Sequence, residues 1–311
     1  MKLTLARYLV ENENSAPNLG VIAKNLESCI NQRSFVFRGS DTPGSFGEKE
    51  ARESRNSLTS SNIVMNFSSL YFHHLPSRKK SYFGTNSPSN ASDFGSIFVI
   101  VPHDSVTHVA IVPNDFNLQK NPVLGEIKSD WNLSNFGVVI YSGIKILAAE
   151  ANSKQAKRLS DLVSHISTST DVTQHDFEEF DVAFEEFFRS GQPQAILEYE
   201  DSYDAKIVSF VWEQVSGKYG SKFSKFLKAA ISAGQEGVEV LPFEEALKKM
   251  GTEEVYEIWF EGKCSFFSLN WLNEKYGELQ EDEDADIVSD ANDEQDIHDA
   301  VAEVFTSLLQ K

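Results

Sequence analysis

The chain is short of cysteine, of positive charge and of long apolar runs, and each shortage excludes something. Cys29 and Cys264 are its two thiols in 311 residues, too few for a disulfide framework or a structural zinc site, so a reducing compartment with buried cysteines is expected. Lys and Arg number 28 against 47 Asp and Glu, a formal charge of −19. Holding a nucleic-acid backbone needs a concentration of cations. An acidic chain of this kind is expected to meet proteins or small molecules instead. No window approaches the roughly 18–20 apolar residues of a membrane-spanning helix, and the apolar stretch within Met1–Val10 is too short for a secretory leader. A cytoplasmic protein without membrane contact is expected, or one packaged in a virion and delivered to a cytoplasm. Missing as well are a GxGxxG turn after a strand, a GxxxxGK[ST] loop, an HExxH helix and a GxSxG elbow. The adjacent pair His73-His74 reads as surface loop, and no metal is expected.

What is present can fill a core: hydrophobic residues make up 41% of the chain and 23 of them are Phe. Residues 3–31 read as two short helices broken near Pro17, and 34–40 as a strand ending at a glycine turn. From Asp41 to Ser61 the composition of Gly, Ser, Arg and Asn reads as one long loop. Strands are expected at 81–85, 96–101 and 108–112, with a helix starting near Asn90. A helical middle spans about 144–235, where Phe177, Phe180, Phe184, Phe187 and Phe188 recur at helical spacing as a core stripe. Residues 207–215 fit helix or strand. Two more strands flank the turn at Glu261-Gly262-Lys263. An acidic linker then opens at Glu281, and Ile297, Val301, Val304 and Phe305 predict an amphipathic terminal helix that must dock somewhere. The division expected is one α+β domain over 1–277 with the helical insertion inside it, followed by a linker and helix over 278–311.

Several polar residues sit at the ends of apolar strands. Arg38 closes Phe35-Val36-Phe37 and precedes Gly39. A guanidinium there can fork onto a phosphate or carboxylate, the glycine letting the backbone approach the ligand, although an ordinary strand-end ion pair has the same pattern. Ser81-Tyr82-Phe83-Gly84-Thr85-Asn86 offers an aromatic strand ending in hydroxyl and amide groups, or simply an edge strand. Glu257 begins an apolar strand with Trp259 on the same face. Glu198-Tyr199-Glu200 is a second carboxylate candidate and also reads as an acidic turn.

In this order, arginine, serine-threonine strand and glutamate resemble the ADP-ribosyltransferase fold, and more closely a group of phage ADP-ribosyltransferase-like proteins. Arg52, Ser54 and Asn56 look like that group's R-x-S-x-N loop, and Pro76, Arg78, Ser81 and Thr85 like its P-x-R-x-x-S-x-x-x-T stretch. Phe94-Gly95, Val99 to Pro102 and Asp104 resemble its FG, VIP and Asp. Glu257-Ile258-Trp259 and Gly262-Lys263-Cys264 resemble its closing strand pair. The resemblance implies a split β-sheet core with N-terminal helices, a helical insertion and a C-terminal helix. It also implies NAD as co-substrate and mono-ADP-ribosyl transfer to a host protein, with a nucleic-acid acceptor left open.

By the same resemblance Glu257 would stabilise the charge developing on the ribose. Arg38 with Gly39 would hold the NAD phosphates or ribose, Thr85 would brace the glutamate, and Tyr82 or Phe83 would stack on nicotinamide. Ser81, Arg52, Ser54 and Asn56 would line the cofactor. Two positions depart from the arginine-modifying pattern: Gly84 stands where a serine is usual, and Val255 where a Glu or Gln precedes the catalytic carboxylate. The alternatives are a degenerate transferase fold that binds a partner in a virion or against host defence, and an acidic mimic of nucleic acid centred on 278–299.

Overall fold

The computed structural model describes residues 19–40, 46–50, 62–113, 121–198, 201–235, 237–251, 254–280, 286–288, 291 and 293–310. Arg52, Ser54, Asn56, Glu200, the first expected helix and the acidic run 281–285 lie outside them. The protein is mixed α+β, and its chain forms two compact units. One is assembled from 1–53, 80–114 and 237–311, the other from 54–79 and 115–236. The helical part therefore begins well before residue 144, and the terminal helix belongs to the sheet unit rather than standing apart from it.

The sheet unit contains β1 (Val36–Ser40), β2 (Phe46–Lys49), β3 (Ser81–Thr85), β4 (Ser96–Pro102), β5 (His108–Pro113), β6 (Glu239–Pro242), β7 (Tyr256–Glu261) and β8 (Cys264–Ser268). They form one antiparallel sheet in the order β2-β8-β4-β1-β3-β7-β5-β6. The strand β4 reads as a continuous apolar run because both its faces are covered: Phe98 to Pro102 are all buried. Residues 46–49 are a correction to the expected loop. Phe46-Gly47-Glu48-Lys49 has the glycine and charge of a loop, yet it pairs over four residues with β8 as an edge strand, where charge is tolerated. Its counterpart at the other edge, β6, is equally short and ends in Pro242, which cannot donate to a ladder.

Between these edges the sheet is not uniform. The neighbours β1 and β4 share five residue pairs, and β3 and β7 share five, but β1 and β3 meet through one pair, Phe37 with Thr85. Four strands lie on either side of this seam. Phe35, Phe37, Val99, Val101 and Phe267 enter the core with Val301 and Phe305 of the helix Glu294–Gln310, whose apolar face docks as its spacing requires. Phe305 stacks on Phe35 and meets Phe267 edge-on. The helix Ala23–Gln32 is tied to the turn after β4. Asp104 accepts from the Lys24 and Asn25 backbone N–H groups, filling the role of a cap that the local sequence lacks, while Asn25 Nδ2 donates to Pro102 and His103 carbonyls.

The helical unit contains Ile63–Tyr71, Leu133–Ala151, Lys154–Thr168, Gln174–Arg189, Tyr203–Lys218 and Phe223–Gly234, with shorter helices between. Side-chain caps start most of them: Asn132, Ser153, Thr173 and Ser202 each accept a backbone N–H of the first turn, and Thr173 forms a capping box with Asp176. The ambiguous 207–215 is helical. Its Val208, Val211 and Val215 are buried at helical spacing, and Ser202 fixes the start. Phe177, Phe180, Phe184, Phe187 and Phe188 are all buried, as their stripe predicts.

Candidate functional site

The strands carrying Arg38, Thr85 and Glu257 are consecutive neighbours in the sheet, β1-β3-β7. Phe37, Thr85 and Glu257 form one cross-strand row, because Phe37 pairs with Thr85 and Thr85 with Glu257. One row thus starts at the seam and crosses all three motif strands. On either side of the seam's single backbone pair a side chain takes over from the ladder. Arg38 Nη1 donates to the Phe83 carbonyl at 2.8 Å. At the other end His298, from the terminal helix, accepts the Phe35 N–H at Nδ1 (3.0 Å), and its Nε2–H donates to the Asn86 carbonyl at 2.9 Å. These two bonds require the neutral ring with its proton on Nε2. Burial draws the His298 pKa down, against the Asn86 carbonyl and the charges of Glu294 and Asp299, which push it up.

Residues paired across strands share a face, and alternation along each strand divides the expected site. Tyr82 lies over Phe260 on one face, and Phe83 stacks on Trp259 on the other. Arg38 belongs with the Tyr82 face and with Phe98, its partner on β4. Glu257, Thr85, Phe83 and Ser81 belong to the opposite face. Both Arg38 and Glu257 are half-buried. The register therefore brings Arg38 and Tyr82 together, and separately Glu257 and Thr85, but it directs the guanidinium and the carboxylate to opposite faces of the sheet, from the two strands that flank β3.

The Arg38 face holds a cleft of about 100 Å³ lined by Arg38, Ser40, Lys49, Tyr82, Phe98 and Phe266 among others. Tyr82 is buried and its hydroxyl donates to the Glu50 carbonyl at 2.7 Å. Lys49 Nζ sits 4.9 Å from the Phe266 ring centroid, a cation–π contact. Lys49 was hidden in sequence because β2 resembles a loop. The signal for His298 was a polar residue one position from Ile297 on a helix face otherwise filled by Val301 and Phe305.

Both glycines at the site are explained by packing. A Cβ on Gly39 would lie 2.0 Å from the Ala91 carbonyl oxygen and 2.8 Å from Phe94 Cβ, so the space expected for a ligand is taken by the chain itself. A Cβ on Gly84 would meet Val36 Cγ1 at 2.4 Å and the Phe37 carbonyl oxygen at 2.7 Å. A serine side chain has no room at this position. Thr85 Oγ1 accepts the Ser87 N–H at 3.1 Å, so its hydroxyl organises the turn after β3. Ser81 is fully buried opposite Glu261.

Glu198 is exposed at the end of a short helix in the helical unit, and His73 and His74 are exposed in a turn. Among the described residues no cluster of three His, Cys, Asp or Glu could hold a metal ion, and no helix is long and apolar enough to cross a membrane. Both cysteines are buried, and burial pushes the Cys29 thiol far up, keeping it protonated. In comparisons with known proteins, no family model, curated protein or solved structure matches this chain.

Proposed function

We propose that this chain is an NAD-dependent mono-ADP-ribosyltransferase of the phage type, acting on a host protein in the host cytoplasm. The observation that carries the reading is the order β1-β3-β7, which brings strands bearing an arginine, a threonine and a glutamate from distant parts of the sequence side by side in one sheet. The bond broken joins nicotinamide to ribose, and positive charge develops on the ribose as nicotinamide leaves. A carboxylate beside that charge stabilises the transition state, as in glycoside hydrolysis. Glu257 supplies it, and Arg38, braced on the Phe83 carbonyl, binds phosphate through parallel N–H donors that a lysine cannot reproduce.

A second reading is favoured by the alternation just described. With Arg38 and Glu257 on opposite faces of the sheet, on the two strands that flank β3, the fold serves as a phage binding protein that has kept an anion cleft and lost transfer. Incubation with NAD distinguishes the two. The transferase releases nicotinamide and labels proteins of a host lysate from a tagged NAD analogue. Glu257→Ala reduces both signals by at least about a hundredfold, the scale of losing one transition-state contact, and Arg38→Lys is nearly as damaging as Arg38→Ala. If the wild-type chain yields neither nicotinamide nor label, the binding reading replaces the enzymatic one.

A further inference from the structure

We infer that Lys49 is the second cation of a diphosphate-binding cleft, so that the Arg38 face of the sheet takes a nucleotide by its phosphates. The identity of the nucleotide rests on the reading above; the anion site does not. A cavity of about 100 Å³ holds several water-sized groups, since one water needs roughly 10–15 Å³. That is the scale of a phosphate or diphosphate, with the rest of a dinucleotide lying outside.

Charge argues in the same direction. In a chain of formal charge −19, the described residues that line the cleft include Arg38 and Lys49 and no carboxylate. Glu50, the residue next to Lys49, turns its carboxylate to Lys263 at 2.6 Å instead. Its carbonyl accepts the Tyr82 hydroxyl, which pins the end of β2. Lys49 Nζ is poised over Phe266, and Phe98 meets Phe266 edge-on at 5.5 Å, giving the cleft an apolar floor. Two cations above low-dielectric walls focus their field on an anion.

The spacing selects the anion. β1 and β2 are separated by β4 and β8, a distance of roughly 14 Å along the sheet at 4.7–4.9 Å per strand. The two side chains thus reach in from opposite margins. One carboxylate cannot engage both as well as a group with two linked anionic centres.

Calorimetric titration of the full chain with ADP-ribose, inorganic pyrophosphate and adenosine tests the inference. ADP-ribose binds, pyrophosphate competes with it, and adenosine does not bind at the same concentration. Lys49→Gln weakens ADP-ribose about tenfold or more, Lys49→Arg restores it to within about threefold, and the salt dependence is shallower in Lys49→Gln. Lys225→Gln, exposed on the helix Phe223–Gly234 of the helical unit, makes the same change of charge away from the cleft, serves as the control and leaves affinity unchanged. Equal affinities for adenosine and ADP-ribose overturn the inference, as does a Lys49→Gln chain that binds like wild type. Nicotinamide release with no effect of Lys49→Gln on ADP-ribose overturns the inference and leaves the transferase reading standing. Lys49-dependent ADP-ribose binding without nicotinamide release supports the inference and removes the transferase.

Discussion

The helical unit and the sheet unit are held by different means. Around Phe184 the helical unit is hydrocarbon: Phe180, Phe188, Trp212 and Phe223 all lie within 6 Å between ring centroids. At the seam of the sheet unit the chain relies on polar side chains, because one backbone pair cannot hold β1 to β3 and His298 and Arg38 supply the missing bonds. Packing of the first kind is non-directional and tolerates small shifts, whereas hydrogen bonds of the second kind fix a geometry. A seam held by side chains is also one that substitution can open without dismantling the sheet on either side.

The most severe test of this contrast is Phe184→Ala. Removing a fully buried ring from an aromatic cluster costs about 3–5 kcal/mol, measured by denaturant unfolding followed at Trp212, which touches the ring. A loss under about 1 kcal/mol would mean that the cluster closes over the gap and is looser than its contacts imply.

Next in size is Gly84→Ser, which adds a hydroxymethyl group beside the seam. The added Cβ collides with Val36 and with the Phe37 carbonyl, and overpacking of this kind costs about 1–3 kcal/mol. Gly217→Ala is the comparison in the helical unit. Nothing lies within 4 Å of the new methyl, and alanine is the better helix former, so the change is neutral or stabilising by up to about 1 kcal/mol. Should Gly84→Ser prove as mild as Gly217→Ala, the strands are not held as close at the seam as these distances require.

How much of this was legible beforehand depended on the strength of the local pattern. The phenylalanine stripe, the run Ile97 to Val101 and the amphipathic face around Val301 each carry a period that only one packing satisfies, and they fold as read. The edge strands β2 and β6 escaped because a short edge element has a single partner and can keep charge and proline. The helical unit's recruitment of 54–79 is a tertiary event that no local period records. At the site, sequence order identified three strands that do become neighbours. It could not give their register, and a shift of one residue moves a side chain to the opposite face, which is why Arg38 with Tyr82 and Glu257 with Thr85 part company.

The smallest effect is the most specific, because the two units should respond to pH with opposite sign at one buried group each. His298 has an ordinary pKa of 6.5 that burial lowers in the folded chain. Below that value the unfolded chain binds a proton the folded chain resists, so this residue's contribution to stability is present above about pH 6.5 and is lost as pH falls through the folded pKa. Asp181 is buried in the helical unit, where its carboxylate accepts the Ser224 N–H at 2.8 Å and the Ser224 hydroxyl at 2.5 Å. Burial raises its pKa above the ordinary 3.8, against those bonds and the nearby Lys222. Its contribution is complete below 3.8 and is lost as pH rises through the folded value. One proton changes stability by at most about 1.4 kcal/mol per pH unit, so each slope is read as a difference from a variant, His298→Asn or Asp181→Asn. The protection of the Phe35 amide against hydrogen exchange, relative to its intrinsic rate at each pH, should fall on acidification as His298 Nδ1 ceases to accept its N–H, while that of the Ser224 amide should not. If both amides lose protection together, the seam has no separate opening, and the distinction between a sheet closed by side chains and a helical core closed by hydrocarbon fails.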